Sequence, residues 1–143
     1  MIFDTESMFS DAQAVTATAA STNIIDLGAP QTPMHAQAAI TQDVGRGTAA
    51  PIRIQVVEAF NTLTSLKIDI EVDNDVNFGS AKVVASVTVL LADLVAGYVA
   101  PMAYLPRGAD GRYIRLNYTV AGTDPTEGKI TAGWVFGNSA WSA

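Results

Sequence analysis

The dominant pattern in the chain is an alternation of apolar and polar residues with a period of two. It is unbroken from Ser65 to Asp73, where the apolar residues share one side and only polar residues occupy the other. Successive side chains of a strand point to opposite faces of its sheet, so this segment predicts a half-buried β-strand. Asp69 and Glu71 fall on the polar face, which we expect to be solvated.

The same period predicts further strands. Residues 52–56 alternate and then slip at Val57 and Glu58, which indicates a β-bulge. Residues 112–120 and 129–136 alternate as well. Two weaker strands are predicted over residues 14–19 and 23–27. Residues 28–51 have no strong period and predict a long ordered loop or arm.

Residues 83–105 are apolar apart from Asp93 and are long enough to raise the question of a membrane span. A charge near the middle of a span costs about 2.5–3.5 kcal/mol. The many β-branched residues favour a strand over residues 82–91 instead, with Val83 on its apolar face and Val84 on the other. Residues 92–97 then predict a turn or a helical loop.

About seven strands joined by short turns, with no helical stretch that could cross over between parallel strands, predict an all-β sandwich or barrel. The 143 residues fit one domain, residues 1–143. Within it we expect residues 1–10 to form an N-terminal arm and residues 28–51 a long loop.

Composition narrows the function. The formal net charge is −6, from 8 Lys and Arg against 14 Asp and Glu, which argues against sequence-independent binding of nucleic acid. The absence of cysteine excludes disulfides, thiol nucleophiles and Cys-ligated metals. The start of the chain is not basic, so no signal peptide is expected. Only 15% of residues are charged against 49% hydrophobic, which indicates a surface covered by partners.

The residues around each motif for catalysis or cofactor binding do not fit that function. Residues 45–50 fit a dinucleotide-type glycine pattern, but no strand precedes them and Pro51 blocks a following helix. His35 is the single histidine, and no G-x-S-x-G segment accompanies it. We therefore expect no enzyme, no catalytic residue and no cofactor.

A cation site is weakly suggested by Asp73, Asp75 and Asn77, which have the spacing of a calcium loop. Phe78 stands where the loop needs glycine, and Val84 where it needs glutamate, so an EF-hand is excluded. A looser cation site in this turn is left open, and we assign no metal ligand.

Some apolar residues lie outside the strong strands. Trp134 and Phe136 share an apolar strand face and are expected in the core. The ends of a chain are usually loose unless they are tied down, so apolar residues there indicate docking on the same domain or on a neighbouring subunit. The candidate contact residues are Phe3, Met8, Phe9, Pro30, Pro33 and Trp141.

Several short segments, in order along most of the chain, carry a family resemblance. They are residues 8–15 (MFSDAQAV) with Thr16 and Ser21, 25–28 (IDLG), 65–66, 94–97 (LVAG), 105–106, 112–120 (RYIRLNYTV) and 128–132 (GKITA). In these segments the chain resembles the capsid cement (decoration) proteins of tailed bacteriophages, of the type found on Bordetella phage heads. Each segment is structural, and none is a catalytic signature.

The resemblance implies a jelly-roll sandwich that binds the major capsid protein lattice non-covalently on the outside of the virion. It also implies self-association, as homodimers, and no enzymatic activity, no membrane and no nucleic acid. The alternative is a jelly-roll module that binds carbohydrate or another ligand. Such a module needs a row of exposed aromatic residues, for which Tyr98, Tyr104 and Tyr113 are the available set.

Overall fold

The computed structural model describes residues 3–136, and this part of the chain forms eight β-strands and one 3-10 turn. The elements are β1 (Phe3–Ala14), β2 (Ala19–Ala20), β3 (Ile25–Asp26), β4 (Ile52–Glu58), β5 (Leu63–Asp73), β6 (Lys82–Leu90), the 3-10 turn (Leu91–Asp93), β7 (Tyr113–Gly122) and β8 (Lys129–Val135).

The strands form two antiparallel sheets. The first has the order β1-β8-β4, and the second has the order β2-β7-β5-β6, with β3 also paired to β7. Residues 97–105 extend the first sheet along β4: the Gly97 N–H donates to the Val56 carbonyl at 2.8 Å, and the Ala100 N–H donates to the Ile54 carbonyl at 2.9 Å. This segment is therefore an irregular fourth strand of the first sheet.

The path of the chain between the sheets identifies the fold. It runs from β1 in the first sheet to β2 and β3 in the second, and back to β4. It then forms β5 and β6 in the second sheet, returns along residues 97–105, and ends with β7 in the second and β8 in the first. Eight strand positions wound in this alternating order form a jelly roll, so the expected all-β jelly-roll sandwich is confirmed.

The core lies between the two sheets. β5 is the central strand of the second sheet, and its inward residues Leu66, Ile68, Ile70 and Val72 are at most 2% exposed. Each such aliphatic side chain contributes about 1.5–3 kcal/mol when it leaves water. The inward residues of its neighbour β7 and of two strands in the opposite sheet complete the core: Ile114, Leu116 and Tyr118 of β7, Ile130 and Ala132 of β8, and Ile52, Ile54 and Val56 of β4.

The strong periodic segments are strands as predicted. β4, β5, β7 and β8 match their predicted segments to within a few residues. The bulge predicted in β4 is present, since the pairing of β4 with β8 slips between Val56 and Glu58. The predicted weak strand over residues 23–27 contains β3, and the turn predicted over 92–97 is made by the 3-10 turn and a left-handed Gly97.

The N-terminal prediction needs correction. Residues 3–10 are not an arm, because they are the first part of β1 and pair with β8. The predicted strand over residues 14–19 is also wrong, since β1 ends at Ala14 and β2 begins at Ala19. The pairing of β1 with β8 shifts register three times, and each shift breaks the period of two in the sequence.

The pairing of β6 with β5 contains a further bulge, which the sequence did not indicate. The register slips between Ile70, which faces Ala85, and Glu71, which faces Val83. Val83 therefore lies on the outer face and is 48% exposed, whereas Val84 packs against the core. This reverses the two predicted positions. In residues 3–136 no helix is long and apolar enough to cross a membrane.

The outer face of the second sheet is less solvated than expected. Asp69 is 4% and Glu71 is 8% exposed. Lys67 lies over Asp69, with its Nζ 3.0 Å from the Asp69 Oδ2. The Arg115 Nε lies 2.8 Å from the Glu71 Oε2, and its guanidinium stacks 4.1 Å from the centre of the Phe78 ring. Long cationic side chains thus cover the polar face, because their stems bury surface while their charges pair.

A polar contact joins the two sheets through the core. The Tyr118 hydroxyl of β7 lies 2.8 Å from the Ser10 Oγ of β1, and the Ser10 Oγ donates to the Gln13 Oε1 at 2.7 Å. Because Ser10 gives its proton to Gln13, Tyr118 is the donor to Ser10. Burial raises the pKa of the Tyr118 hydroxyl far above its ordinary value. The hydroxyl therefore keeps its proton at neutral pH and can donate it to Ser10.

We expect Tyr118→Phe and Ser10→Ala each to lower the free energy of unfolding by about 1 kcal/mol, because each removes the buried hydrogen bond between the two sheets. In urea unfolding, the double variant should lose less than the sum of the two single losses, since both remove the same bond. Strict additivity would contradict a contribution from this contact.

Candidate interaction surface

The most exposed ordered segment is a projection that we call the finger, residues 29–42. Residues 28–50 contain no helix or strand, as predicted, and every residue from 29 to 41 is exposed. The finger contains no Asp, Glu, Lys or Arg. Two of its large apolar side chains face solvent: Met34 is 86% and Ile40 is 59% exposed. Exposed apolar groups on a loop without charges are typical of a contact surface.

Backbone hydrogen bonds shape the finger as an irregular hairpin. The Ile40 N–H donates to the Gln31 carbonyl at 3.0 Å across its neck, and the Ala36 N–H donates to the Pro33 carbonyl at 3.0 Å near its tip. His35 turns the tip with a φ of 67°, in the left-handed region. The finger is therefore a shaped element that presents Met34 at its end.

The base of the finger is attached to the loop before β7. The two carboxylate oxygens of Asp43 accept the N–H groups of Gly45 and Gly108, each at 3.0 Å. Gly45 lies so close to the Pro106 carbonyl that a Cβ would stand 1.8 Å from its oxygen. Glycine is thus required at position 45 for close backbone approach, which explains the first glycine of the pattern that resembled a dinucleotide motif.

A salt bridge holds the other side of the base. The Arg112 Nε and Nη2 donate to the two carboxylate oxygens of Asp26, at 2.8 and 2.9 Å. The Gly28 N–H also donates to the Asp26 Oδ1, at 2.8 Å. Arg112 and this backbone N–H lower the pKa of Asp26 from 3.8 to about 2. Gly28, the residue just before the finger, and Arg112, which directly precedes β7, are therefore held together through Asp26.

An open groove of about 500 Å³ runs along the finger, lined by Leu27, Pro30, Ile40 and Asp43 among others. Among the described residues that line it, Asp43 alone is charged. His35 lies at the tip of the finger and is not among the described residues that line the groove.

The model of one protein family, Bbp16, matches residues 9–134 of the chain. The chain belongs to the Bbp16 family. The match spans most of the chain, from β1 to β8, and therefore includes the finger. The family name indicates a Bordetella phage protein. This agrees with the resemblance of the sequence to Bordetella phage proteins. No curated protein matches the chain.

The predicted contact residues lie on two elements of this family member. Pro30 and Pro33 are exposed on the finger. Phe3, Met8 and Phe9 lie on β1, and the first two are half-buried. Phe9 is 1% exposed and packs against Trp134 with tilted rings whose centres are 6.0 Å apart, so it is a core residue and we remove it from the contact set. Trp141 lies outside the described residues.

Two exposed side chains were missed by the sequence analysis. Met34 and Ile40 are the most exposed large apolar residues of the finger, yet neither was singled out. The available indication was the lack of charge between Asp26 and Asp43 rather than any motif. Phe136 was expected in the core and is instead 77% exposed, because it lies just beyond the end of β8.

The turn with calcium-loop spacing is held by its own hydrogen bonds. Asp73 accepts the N–H groups of Asp75 and Ser80, at 3.0 and 2.8 Å, and Asp75 accepts that of Asn77 at 3.0 Å. Within residues 3–136, no group of three or more His, Cys, Asp or Glu residues is placed to hold a metal ion. The turn is an Asx-rich connection between β5 and β6.

The aromatic row required by the carbohydrate-binding alternative is not assembled. Tyr113 lies on β7 in the second sheet, beneath the Arg112 guanidinium, whereas Tyr98 and Tyr104 lie on the edge segment of the first sheet. Tyr98 is also partly packed against the core. The three rings therefore do not share one face.

We expect the Asp26 carboxylate to titrate with a pKa of about 2. Its folded pKa lies below its unfolded value, so the bridge stabilises the fold above about pH 4 and loses this effect as the pH falls through about 2. Arg112→Gln should raise the Asp26 pKa towards its ordinary value in a carboxyl ¹³C NMR titration. Arg107→Gln, which replaces an exposed arginine, is the control and should leave the Asp26 pKa at about 2. An unchanged Asp26 pKa in Arg112→Gln would contradict this assignment.

Proposed function

We propose that this protein is a non-enzymatic capsid cement protein that binds the major capsid protein on the outer surface of a phage head. The supporting observation is the finger: a shaped projection without Asp, Glu, Lys or Arg, exposed from residue 29 to residue 41, with apolar side chains near its tip and neck. Membership of the Bbp16 family supports a phage structural role. The proposal includes no cofactor, no membrane and no nucleic acid.

The mechanism is attachment by burial of apolar surface. Met34 and Ile40 are exposed in the free protein and would leave water in a groove of the capsid. Each buried side chain of this size contributes about 1.5–3 kcal/mol. The Asp43 and Asp26 contacts at the base keep the finger in one shape, which lowers the entropy lost on binding.

Such binding stabilises the head by mass action. A ligand that binds the assembled shell and not its separated subunits adds about 2.7 kcal/mol per site when its free concentration is 100 times its Kd. The contributions of the many sites on one shell add together. The chain has no cysteine, so reinforcement by disulfides is excluded and non-covalent contacts must supply it.

We expect the double variant Met34→Asp/Ile40→Asp to bind assembled heads about tenfold or more weakly than the natural chain, because it places charge where apolar surface is buried. The measurement is co-sedimentation with purified heads that lack the protein. Unfolding in urea should be unchanged, since both side chains are exposed in the free protein.

Val76→Asp is the matched control, because Val76 is 49% exposed in the turn between β5 and β6, away from the finger. It should bind like the natural chain. Failure of the natural chain to sediment with heads would overturn the cement role. Equal binding of all three proteins would keep the cement role and remove the finger as its contact.

A further inference from the structure

Two arginines at the base of the finger differ from the other cationic side chains of the protein. All 8 Lys and Arg residues lie within residues 3–136. Arg53 donates its Nε–H to the Gln55 Oε1 at 3.2 Å. Among these described residues, only Arg46 and Arg107 make no side-chain hydrogen bond or ion pair. The other cations form salt bridges with carboxylates of the same chain: Lys67, Lys82, Arg112, Arg115 and Lys129.

The fold brings these two arginines, which we call the arginine pair, to one place. A Cβ at Gly45 would stand 1.8 Å from the Pro106 carbonyl oxygen and 2.8 Å from the Arg107 backbone nitrogen, so the two segments are in direct contact. Arg46 follows Gly45 at this contact, and Arg107 follows Pro106. The hydrogen bonds of Asp43 to both segments hold the contact together.

The surroundings of the arginine pair are open. Both arginines are exposed, and each is followed by a glycine in the left-handed region, Gly47 with a φ of 94° and Gly108 with a φ of 97°. A Cβ added at Gly47 would meet no atom within 4 Å. Because glycine has no side chain to cover its neighbour, both guanidinium groups are accessible to a partner.

The nearby carboxylates are already engaged by other groups. Asp43 accepts the backbone N–H groups of Gly45 and Gly108, one on each oxygen. The Asp110 Oδ1 lies 3.0 Å from the Lys82 Nζ. A guanidinium group has five N–H donors in a planar fork, and in this protein those of the arginine pair have no acceptor among residues 3–136.

From this arrangement we infer that Arg46 and Arg107 bind a carboxylate side chain of an acidic segment of the capsid protein, beside the site that receives the finger. The inference rests on the proposed function for the identity of the partner, and it adds the chemistry that the partner must present. Guanidinium groups bind carboxylates through two parallel N–H bonds, which fixes orientation as well as adding energy. The finger supplies apolar burial, and the arginine pair at its base sets its direction and specificity.

The charge of the molecule favours a protein carboxylate over nucleic acid as the ligand. Binding to a phosphate backbone grows with the number of phosphates that are neutralised, commonly about 6–10. The chain has a net charge of −6 and presents two unpaired arginines at this place, which is too few to overcome repulsion from a polyanion. A single acidic side chain needs only one or two guanidinium groups.

Binding to purified heads that lack the protein tests the arginine pair. Arg46→Gln and Arg107→Gln should each raise the Kd about threefold and the double variant about tenfold, since exposed ion pairs contribute modestly. The difference between the double variant and the natural chain should shrink as salt rises from about 0.05 to about 0.5 M, because salt screens exposed charges. Unfolding in urea should be unchanged, since both side chains are exposed.

Arg53→Gln is the matched control. It removes the same charge from β4, in the first sheet, where the arginine already bonds to Gln55. Its Kd for heads and the salt dependence of that Kd should equal those of the natural chain. A general effect of lowering the positive charge of the protein would appear in all three single variants alike.

A second measurement needs no heads. In ¹H–¹⁵N spectra of the full chain, hexaglutamate should shift the Nε–H signals of Arg46 and Arg107 and leave that of Arg53 in place. Hexaglutamine, a peptide of the same length without charge, should shift none of the three. A thymidine oligonucleotide with the same charge as hexaglutamate should bind more weakly than hexaglutamate does.

Equal binding of the natural chain and the double variant to heads at low salt would overturn the inference and leave the cement role intact. A hexaglutamate response shared equally by all three arginines would also overturn it, as would tighter binding of the oligonucleotide. If the natural chain does not bind heads, the cement role fails, and with it the capsid as the partner. A hexaglutamate response confined to Arg46 and Arg107 would in that case still support a carboxylate site.

Discussion

Burial of one aliphatic layer between two antiparallel sheets is the constraint on which the rest of this protein depends. Leu66, Ile68 and Ile70 of β5 are almost completely buried, and β5 has partners on both sides. The layer fixes the register of β5, because a slip of one residue would turn this apolar set outward. β6 and β7 are positioned by their pairing with β5. The positions of these strands in turn determine where the loops between the sheets begin and end.

That arrangement determines where binding surfaces can form. The connection from β3 to β4 passes from one sheet to the other, and it is much longer than the crossing requires, so the surplus projects as the finger. Its base is held by Asp43 and by the bridge from Asp26 to Arg112, the residue that directly precedes β7. The stability of the core is thereby extended to a loop that contributes little apolar burial itself.

The sequence predicted those strands in which apolar and polar residues alternate regularly. β5 was evident because its apolar and polar residues alternate without error, and the slip at Val57 located a real bulge. β1 was missed because three register shifts disrupt its period. Burial of Asp69 could not be predicted from the sequence of β5. It depends on how the Lys67 and Arg115 side chains lie across the outer face of the sheet and pair with its carboxylates. For the same reason, the need for Gly45 appears only when Pro106 is seen beside it.

The rigid base of the finger matters for the proposed attachment to a capsid. A loop that is already held in one shape loses little conformational entropy when it is buried, whereas a loose loop would have to be ordered at each binding site. The contacts of Asp43 and of Asp26 supply that order in the free protein. The chain carries a net charge of −6, and because the finger contains no Asp, Glu, Lys or Arg, its apolar side chains can leave water without the cost of burying a charge beside them.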